Sequence, residues 1–128
     1  MNRTNISSKN PWENIVGYSR AVKIGNYICV AGTIATDEDG KIVGKDNPEK
    51  QTEYIFQKIE KALQQVGASF QDVIRTRIFV TNIDYWENIG KVHGRIFQKI
   101  RPTCTMVEVS RLIIPEALVE IEVDAIVK

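Results

Sequence analysis

The sequence predicts an α+β fold in which a single, mostly antiparallel sheet carries two helices on one face. Three observations support this class. The last strand alternates strictly, with apolar residues at 119, 121, 123, 125 and 127 and acidic residues at 120, 122 and 124. Two segments repeat apolar residues at helical spacing between helix-start and helix-stop signals. A Gly-Asn pair separates two strand-like segments early in the chain.

The first half of the chain predicts a hairpin followed by a helix. The expected elements are strands at 18–24, 27–33 and 41–43, turns at 25–26 and 37–40, and a helix from 47 to 67. Asn47 is a good N-cap, Pro48 suits the first helical position, and Gly67 is a typical C-terminal stop. The apolar stripe of this helix consists of Ile55, Ile59, Ala62, Leu63 and Val66.

The second half predicts a strand, a second helix and two closing strands. The expected elements are a one-turn capping box at 69–72, a strand at 73–81, a helix from a capping box at 84–87 to about 100, and two strands within 101–128. The helical stripe consists of Ile89, Val92, Ile96 and Ile100. Pro102 stops the helix, and the predicted order is β-β-(β)-α-β-α-β-β.

These alternations leave one face of the sheet without helices. Thr105, Val107 and Val109 are placed on the apolar side. The expected members of the open face are Arg75, Arg77, Cys104, Met106, Glu108, Glu120, Glu122 and Asp124. Apolar side chains such as Tyr27 and Phe79 lie among these charges. We therefore expect a homo-oligomer whose sheets face each other, with pockets at the seams between subunits.

Size and composition exclude several classes of protein. A chain of 128 residues and 14.5 kDa is expected to form one domain spanning 1–128. A net charge of +1 without basic clusters argues against nucleic-acid binding, and no apolar run is long enough for a membrane span. The first residues lack the apolar centre of a signal peptide, so we expect a cytoplasmic protein. Cys29 and Cys104 are expected to be reduced, with a single disulfide as the alternative, and one histidine with two isolated cysteines predicts no metal site.

Four segments resemble the RidA/YjgF family, whose members are also labelled L-PSP endoribonucleases. They are GYSRAVKIGNYICVAG, VGASFQDVIRTRIFVTNIDYW, RPTCTMVEVSRL and VEIEVDAIV, and the resemblance covers about residue 16 to the end of the chain. It implies a chorismate-mutase-like fold, a homotrimer and three pockets between adjacent subunits. It also implies hydrolysis of enamines and imines, such as 2-aminoacrylate, to 2-keto acids and ammonia without a metal or organic cofactor.

The family's site residues match this chain only in part. Its pocket tyrosine matches Tyr18, its glycine matches Gly32 and its water-orienting glutamate matches Glu120. The serine before that glycine is replaced by Ala31, and the pocket asparagine falls near Gly90. The resemblance therefore assigns catalysis to Glu120 and Tyr18, with Gly32 donating a backbone N–H.

The C-terminal block departs further from the family. The family's carboxylate-binding arginine falls on Cys104 and its cysteine on Met106, which places this chain in a subgroup without that arginine. Burying a carboxylate without a cation costs several kcal/mol, about 3 or more. Arg77 is the expected replacement because alternation places it on the charged face, and Arg20 and Arg101 are weaker candidates.

Each candidate residue also has a structural interpretation. Glu120 and Arg77 can simply form ion pairs, and Tyr18 can pack at an interface. Cys104 is either a pocket thiol or an inert strand cysteine. His93 reaches the intersubunit pocket or serves as a surface or capping residue.

The sequence leaves three functions open. The first is an enamine or imine hydrolase acting on 2-imino acids or related metabolites. The second is a trimeric metabolite-binding or regulatory protein that uses the same pocket without chemistry. The third, a ribonuclease or translation inhibitor, has little support because there is no basic stripe and no pair of histidines. Chorismate mutase activity is not implied, since a shared fold alone does not establish function.

Overall fold

The protein, described over all of residues 1–128 by a computed structural model, is built on a six-stranded sheet. Its strands are β1 (Arg3–Ile6), β2 (Ala21–Ile24), β3 (Tyr27–Thr33), β4 (Val73–Val80), β5 (Thr103–Glu108) and β6 (Val119–Ile126). Its helices are α1 (Pro11–Val16), α2 (Pro48–Gln64) and α3 (Trp86–Phe97), and two single 3₁₀ turns cover Phe70–Asp72 and Ile83–Tyr85.

The strand order is β1-β2-β3-β6-β4-β5, and every neighbouring pair is antiparallel except β4 and β5. The long helices α2 and α3 bury one side each against the same face of the sheet. The predicted α+β class is therefore confirmed. Core residues from the sheet include Ile28, Val30, Ile78, Ile121 and Val123.

Helix α2 forms where its signals predict. The Asn47 side chain accepts a hydrogen bond from the Lys50 amide at 3.0 Å, and Pro48 begins the helix. Buried Gln51 donates to the Glu116 carbonyl and accepts from the Leu118 amide, so it joins α2 to the segment before β6. These bonds fix where β6 enters the sheet. The predicted strand at 41–43 is reduced to a single bridge between Thr36 and Ile42.

Two elements near the start of the chain were not predicted. Strand β1 pairs with β2 at one edge of the sheet, and α1 begins after Asn10, whose side chain accepts from the Trp12 amide. Both elements are too short, at four and six residues, to show a clear periodicity. The first predicted strand is correspondingly shorter than expected and begins at Ala21.

The region between β4 and α3 corrects the second predicted capping box. The box at 69–72 is confirmed, since Ser69 and Asp72 exchange their hydrogen bonds. At 84–87 it is wrong: Asn82 caps a 3₁₀ turn by accepting from the Asp84 amide, and α3 begins only at Trp86. Helix α3 also ends at Phe97, three residues before the predicted end.

The predicted facing of β5 is inverted. Because β5 runs parallel to β4, Cys104 lies beside buried Thr76 and Met106 lies beside buried Ile78. Cys104, Met106 and Glu108 therefore belong to the helix-covered side of the sheet. Thr103, Thr105 and Val107 lie on the open face instead. A register shift in β4 between residues 73 and 75 similarly buries Val73 and exposes Ile74.

Candidate functional site

A cavity of about 170 Å³ opens where α1, the β2–β3 strands, α2 and β6 converge. Its lining combines two cations, one acid, hydroxyl groups and apolar walls. The lining residues are Asn10, Trp12, Val16, Tyr18, Arg20, Gly32, Ile34, Thr36, Lys58, Ile113 and Glu120. Polar groups converging on a partly apolar concavity are typical of a small-molecule site.

Glu120 is the acid of this cavity. It lies on the open-face side of β6, beside Phe79 of β4, and approaches the backbone of β3 at Gly32. A register shift in β3 between Val30 and Thr33 accompanies this approach. The carboxylate has no hydrogen bond or ion pair within the protein. Burial raises the pKa of Glu120, the charge of Arg20 lowers it, and the neighbouring Glu122 raises it further.

Arg20 is the buried cation of the cavity, with 8% of its surface exposed. Its Nη1 donates to the Gly32 carbonyl and to Thr33 Oγ1, both at 2.9 Å. Its Nη2 lies 3.5 Å from the Tyr18 hydroxyl, and its guanidinium lies 5.8 Å from the centre of the Tyr18 ring. Arg20 Nε is buried without a hydrogen-bond partner. That nitrogen faces Glu13, whereas Nη2 makes a single contact and so keeps one N–H without a protein acceptor.

Glu13 of α1 is the acidic partner of Arg20. Its Oε2 lies 3.8 Å from Arg20 Nε, and its carboxylate accepts from the Ser7 hydroxyl and from the amide and hydroxyl of Ser8. Burial alone would raise the pKa of Glu13, but the bonds from Ser8 and Ser7 and the Arg20 charge more than offset it and lower that pKa. These contacts link Ser7 and Ser8 of the N-terminal segment to Arg20 in the cavity lining.

Lys58 of α2 is the second cation that lines the cavity. Its Nζ donates to the Ile34 carbonyl at 2.9 Å, the Thr36 carbonyl at 3.0 Å and Thr36 Oγ1 at 3.2 Å. Burial and then the nearby Arg20 charge lower the pKa of Lys58 to about 8, against a smaller opposing effect of Asp37.

A second cavity, of about 260 Å³, lies between α2 and α3 on the far side of the helix layer. Its cation, Arg95, is already paired with Glu53 at 3.1 Å and Glu49 at 3.8 Å. These charges are exposed and mutually compensated. The smaller cavity, with its unpaired acid, is therefore the better candidate for chemistry.

No group of three or more His, Cys, Asp or Glu side chains is arranged to hold a metal ion. None of the helices combines the length and hydropathy that a membrane crossing requires.

The sequence model of the Endoribonuclease L-PSP family matches residues 8–127. The chain belongs to this family. The RidA/YjgF resemblance of the sequence is thereby confirmed, because this is the same family under another label.

Solved structures and curated relatives agree with this membership. A Mycobacterium tuberculosis member of the YjgF/YER057c/UK114 family is 48% identical, with a TM-score of 0.90 over 98% of this chain and 100% of that one. A Rid family protein of unknown function from Yersinia pestis is 34% identical, with a TM-score of 0.86 over 98% of this chain and 100% of that one. A RutC family protein of Pyrococcus abyssi is 36% identical over 106 residues, which is 82% of each chain.

The cavity brings together three of the residues that the L-PSP family pattern selects. Tyr18, Gly32 and Glu120 all line it. Ala31 is adjacent in β3, where its carbonyl accepts from Thr33 Oγ1, but it does not line the cavity.

The remaining selected residues lie elsewhere in the same chain. Arg77 is half-exposed on the open face and pairs with Glu122 at 3.2 Å and Asp124 at 3.6 Å, so its charge is committed. Cys104 and Met106 are on the edge strand β5, on the helix side. Gly90 is half-buried on α3 and outside the cavity.

His93 is half-buried and does not line the cavity. Its Nε2 lies 2.9 Å from Thr76 Oγ1, and its ring lies 4.6 Å from that of Phe97 and 6.0 Å from that of Phe56. Burial lowers the pKa of His93 and favours the neutral ring. Within the single chain these contacts favour a packing role for His93.

Sequence reasoning did not select Lys58 or Thr36, and it ranked Arg20 below Arg77. One signal was available for Lys58. It lies three residues after Ile55 and four before Ala62, which places a lysine on the buried stripe of α2. A charge at such a position usually has a specific partner or a cavity beside it.

Proposed function

We propose that this chain forms a homotrimer whose subunits close the cavity into a small-molecule site, and that the site hydrolyses reactive enamines or imines. Glu120 would activate the attacking water, and Tyr18 and Gly32 would orient the ligand. The observation that carries the proposal is the environment of Glu120. A carboxylate that lines a cavity, has no protein hydrogen bond and has a raised pKa is suited to accepting a proton from water near neutral pH.

The need for a partner subunit follows from the size of the cavity and from the open face. At about 170 Å³ the cavity is below the roughly 300 Å³ at which ligand pockets usually begin. On the open face Tyr27 is 42% exposed and Val107 is 41% exposed. The acidic residues of β6, Glu120, Glu122 and Asp124, lie on the same face. A second copy laid on this face would bury these side chains and wall the cavity.

Arg20 is the cation best placed for a carboxylate ligand. Arg77 is already paired, whereas Arg20 lines the cavity and keeps one N–H of Nη2 that no protein atom accepts. Its guanidinium is also fixed by Glu13 and by the Gly32 carbonyl, so little further entropy is lost on binding. We therefore assign to Arg20 the role that the missing arginine at position 104 has in the family.

Turnover of 2-aminoacrylate, followed by coupled detection of pyruvate, tests the chemistry. We expect a rate above that in buffer for the purified protein and none above buffer for Glu120→Gln. Light scattering tests the assembly, with an expected mass three times the 14.5 kDa of one chain. A protein that is a 14.5 kDa monomer, or that leaves the decay of 2-aminoacrylate unchanged, would refute the corresponding half of the proposal.

A binding protein without catalysis is the alternative function, favoured by the absence of an arginine at Cys104. A 2-keto acid that raises the melting temperature and remains chemically unchanged, together with no imine turnover, would establish it. RNA cleavage has no comparable support, because the chain's single histidine packs half-buried against Thr76 and Phe97 and lies outside the cavity. The cytoplasmic location and the single-domain assignment stay predictions.

A further inference from the structure

Lys58 and Thr36 both line the cavity and share a hydrogen bond there. Lys58 Nζ uses all three of its N–H groups, two on backbone carbonyls and one on Thr36 Oγ1 at 3.2 Å. The ammonium therefore has no donor left for a ligand. Any proton that it supplies to the cavity must pass through the Thr36 hydroxyl.

The Thr36 hydroxyl is placed for that role. Thr36 is only 6% exposed, and it lines the same cavity as Glu120. Its oxygen accepts from Lys58, while its own proton is donated to no protein acceptor. A buried hydroxyl with an unused proton is costly unless a ligand or water accepts it. The cavity is the place from which such an acceptor can come.

We propose that Thr36 donates a proton to the substrate nitrogen, and that Lys58 resupplies Thr36. This inference rests on the hydrolysis proposed above. Thr36 is the catalytic residue of the pair, since its hydroxyl meets the substrate, and Lys58 acts through it. Within the proposed site they form the acid, and Glu120 forms the base.

Protons and electron pairs balance over the two steps of imine hydrolysis. In the addition step, the water oxygen bonds to the imine carbon and its proton passes to Glu120. The C=N electron pair moves to nitrogen, which takes the Thr36 proton, and Thr36 takes one from Lys58. In the collapse step, the nitrogen takes the Glu120 proton and leaves as ammonia with the C–N electron pair. The carbinol proton returns through Thr36 to Lys58, so every group regains its starting state.

The charges around Lys58 support a proton source that works near neutral pH. Arg20 lines the same cavity and disfavours the charge of Lys58, Asp37 of the following turn favours it, and the half-buried Glu120 lines the cavity as well. With a pKa of about 8, Lys58 is mostly protonated at neutral pH and yet gives up its proton far more readily than an exposed lysine.

A matched set of variants separates this relay from a structural tie. Thr36→Val removes the hydroxyl at similar size, whereas Thr36→Ser keeps it. Lys58→Arg keeps the positive charge but donates a proton too weakly to act as an acid. Turnover of 2-aminoacrylate is measured from pH 6 to pH 10 for each variant, with the melting temperature recorded to confirm folding.

We expect Thr36→Val and Lys58→Arg each to lower kcat about 100-fold, and Thr36→Ser to restore most of the loss. The double variant should be no slower than either single one, because the two residues act as a unit. The wild type should lose activity as the pH rises past about 8, and Lys58→Arg should lack that decline.

Two results overturn the relay while leaving the proposed function in place. They are a wild-type kcat in Thr36→Val, or an unchanged alkaline decline in Lys58→Arg, with Glu120→Gln inactive in the same assay. A wild-type protein without turnover overturns the hydrolase function and the relay together.

Discussion

The carboxylate of Glu120 occupies the space that a side chain at position 32 would fill. A Cβ added to Gly32 would overlap Glu120 Oε2 and lie 3.0 Å from its Cδ. Gly32 has no positive φ, so backbone freedom does not explain the glycine here. Close approach explains it: strand β3 and the acid of β6 share one small volume beside the cavity.

Gly32→Ala is therefore expected to displace the Glu120 carboxylate while the backbone keeps its course. Turnover should fall about 100-fold, as for a misplaced catalytic group. The melting temperature should change little, because the clash involves the free end of a flexible side chain. Gly94→Ala on α3 is the matched control, since a Cβ there meets nothing within 4 Å. Full activity in Gly32→Ala would separate the glycine from the chemistry.

Glu120→Gln is expected to abolish turnover and to raise the melting temperature at neutral pH. The folded-state pKa of Glu120 is raised above 4.5, so its protonated form favours folding. That contribution is complete below pH 4.5 and is lost as the pH rises through the folded-state pKa. Gln stays neutral, and the difference in melting temperature should therefore shrink in acid.

Glu122→Gln provides the comparison for that experiment, because it changes the next acid on the same face. Glu122 accepts from Arg77 at 3.2 Å, so its loss should lower stability slightly and leave turnover intact. Equal thermal shifts in the two variants would contradict the assignment of Glu120 as an unpaired acid.

Glu13→Gln is expected to destabilise the protein by about 2 kcal/mol, since charged hydrogen bonds to Ser8 and the partner of a buried arginine are lost together. The pKa of Glu13 is lowered below 4.5, so its contribution is present above that pH and is lost as the pH falls through the folded-state value. Urea titrations at pH 7 and pH 3 measure both effects. A stability difference that persists unchanged at pH 3 would argue against the ionised network.

Val107→Glu is expected to weaken the proposed trimer without unfolding the chain. Val107 is exposed on the open face in line with Phe79 and Glu120, so a carboxylate there would meet the acidic row of a facing sheet. Gln57→Glu adds the same charge on the exposed side of α2 and should leave the mass unchanged. Light scattering gives the mass of both variants in solution. An intact Val107→Glu trimer would place the interface elsewhere.

The fold was predictable wherever one face of an element is buried. The alternation in β6 and the stripe of α2 correctly identified buried and exposed sides, because tertiary burial and local pattern agree there. The facing of β5 was not predictable in the same way. Its residues are mostly exposed, so Cys104 and Thr105 give no apolar contrast, and only the parallel register with β4 decides which side each one takes.

The sequence predicted only those site residues that the family pattern identifies one by one. Tyr18, Gly32 and Glu120 follow from the family pattern. Arg20 was ranked below Arg77 because strand alternation alone cannot show that Glu122 and Asp124 already pair with Arg77. The Lys58–Thr36 contact joins α2 to the segment after β3, and such a long-range contact is set by packing rather than by local spacing.

The N-terminal segment has a practical consequence for anyone producing this protein. Asn10, Trp12 and Val16 form one wall of the cavity, and Ser7 and Ser8 anchor the acid behind it. Removing residues 1–10 for crystallisation would take away that anchor even though every residue of the central strands remained. A purification handle belongs after Lys128, beyond the exposed end of the last strand.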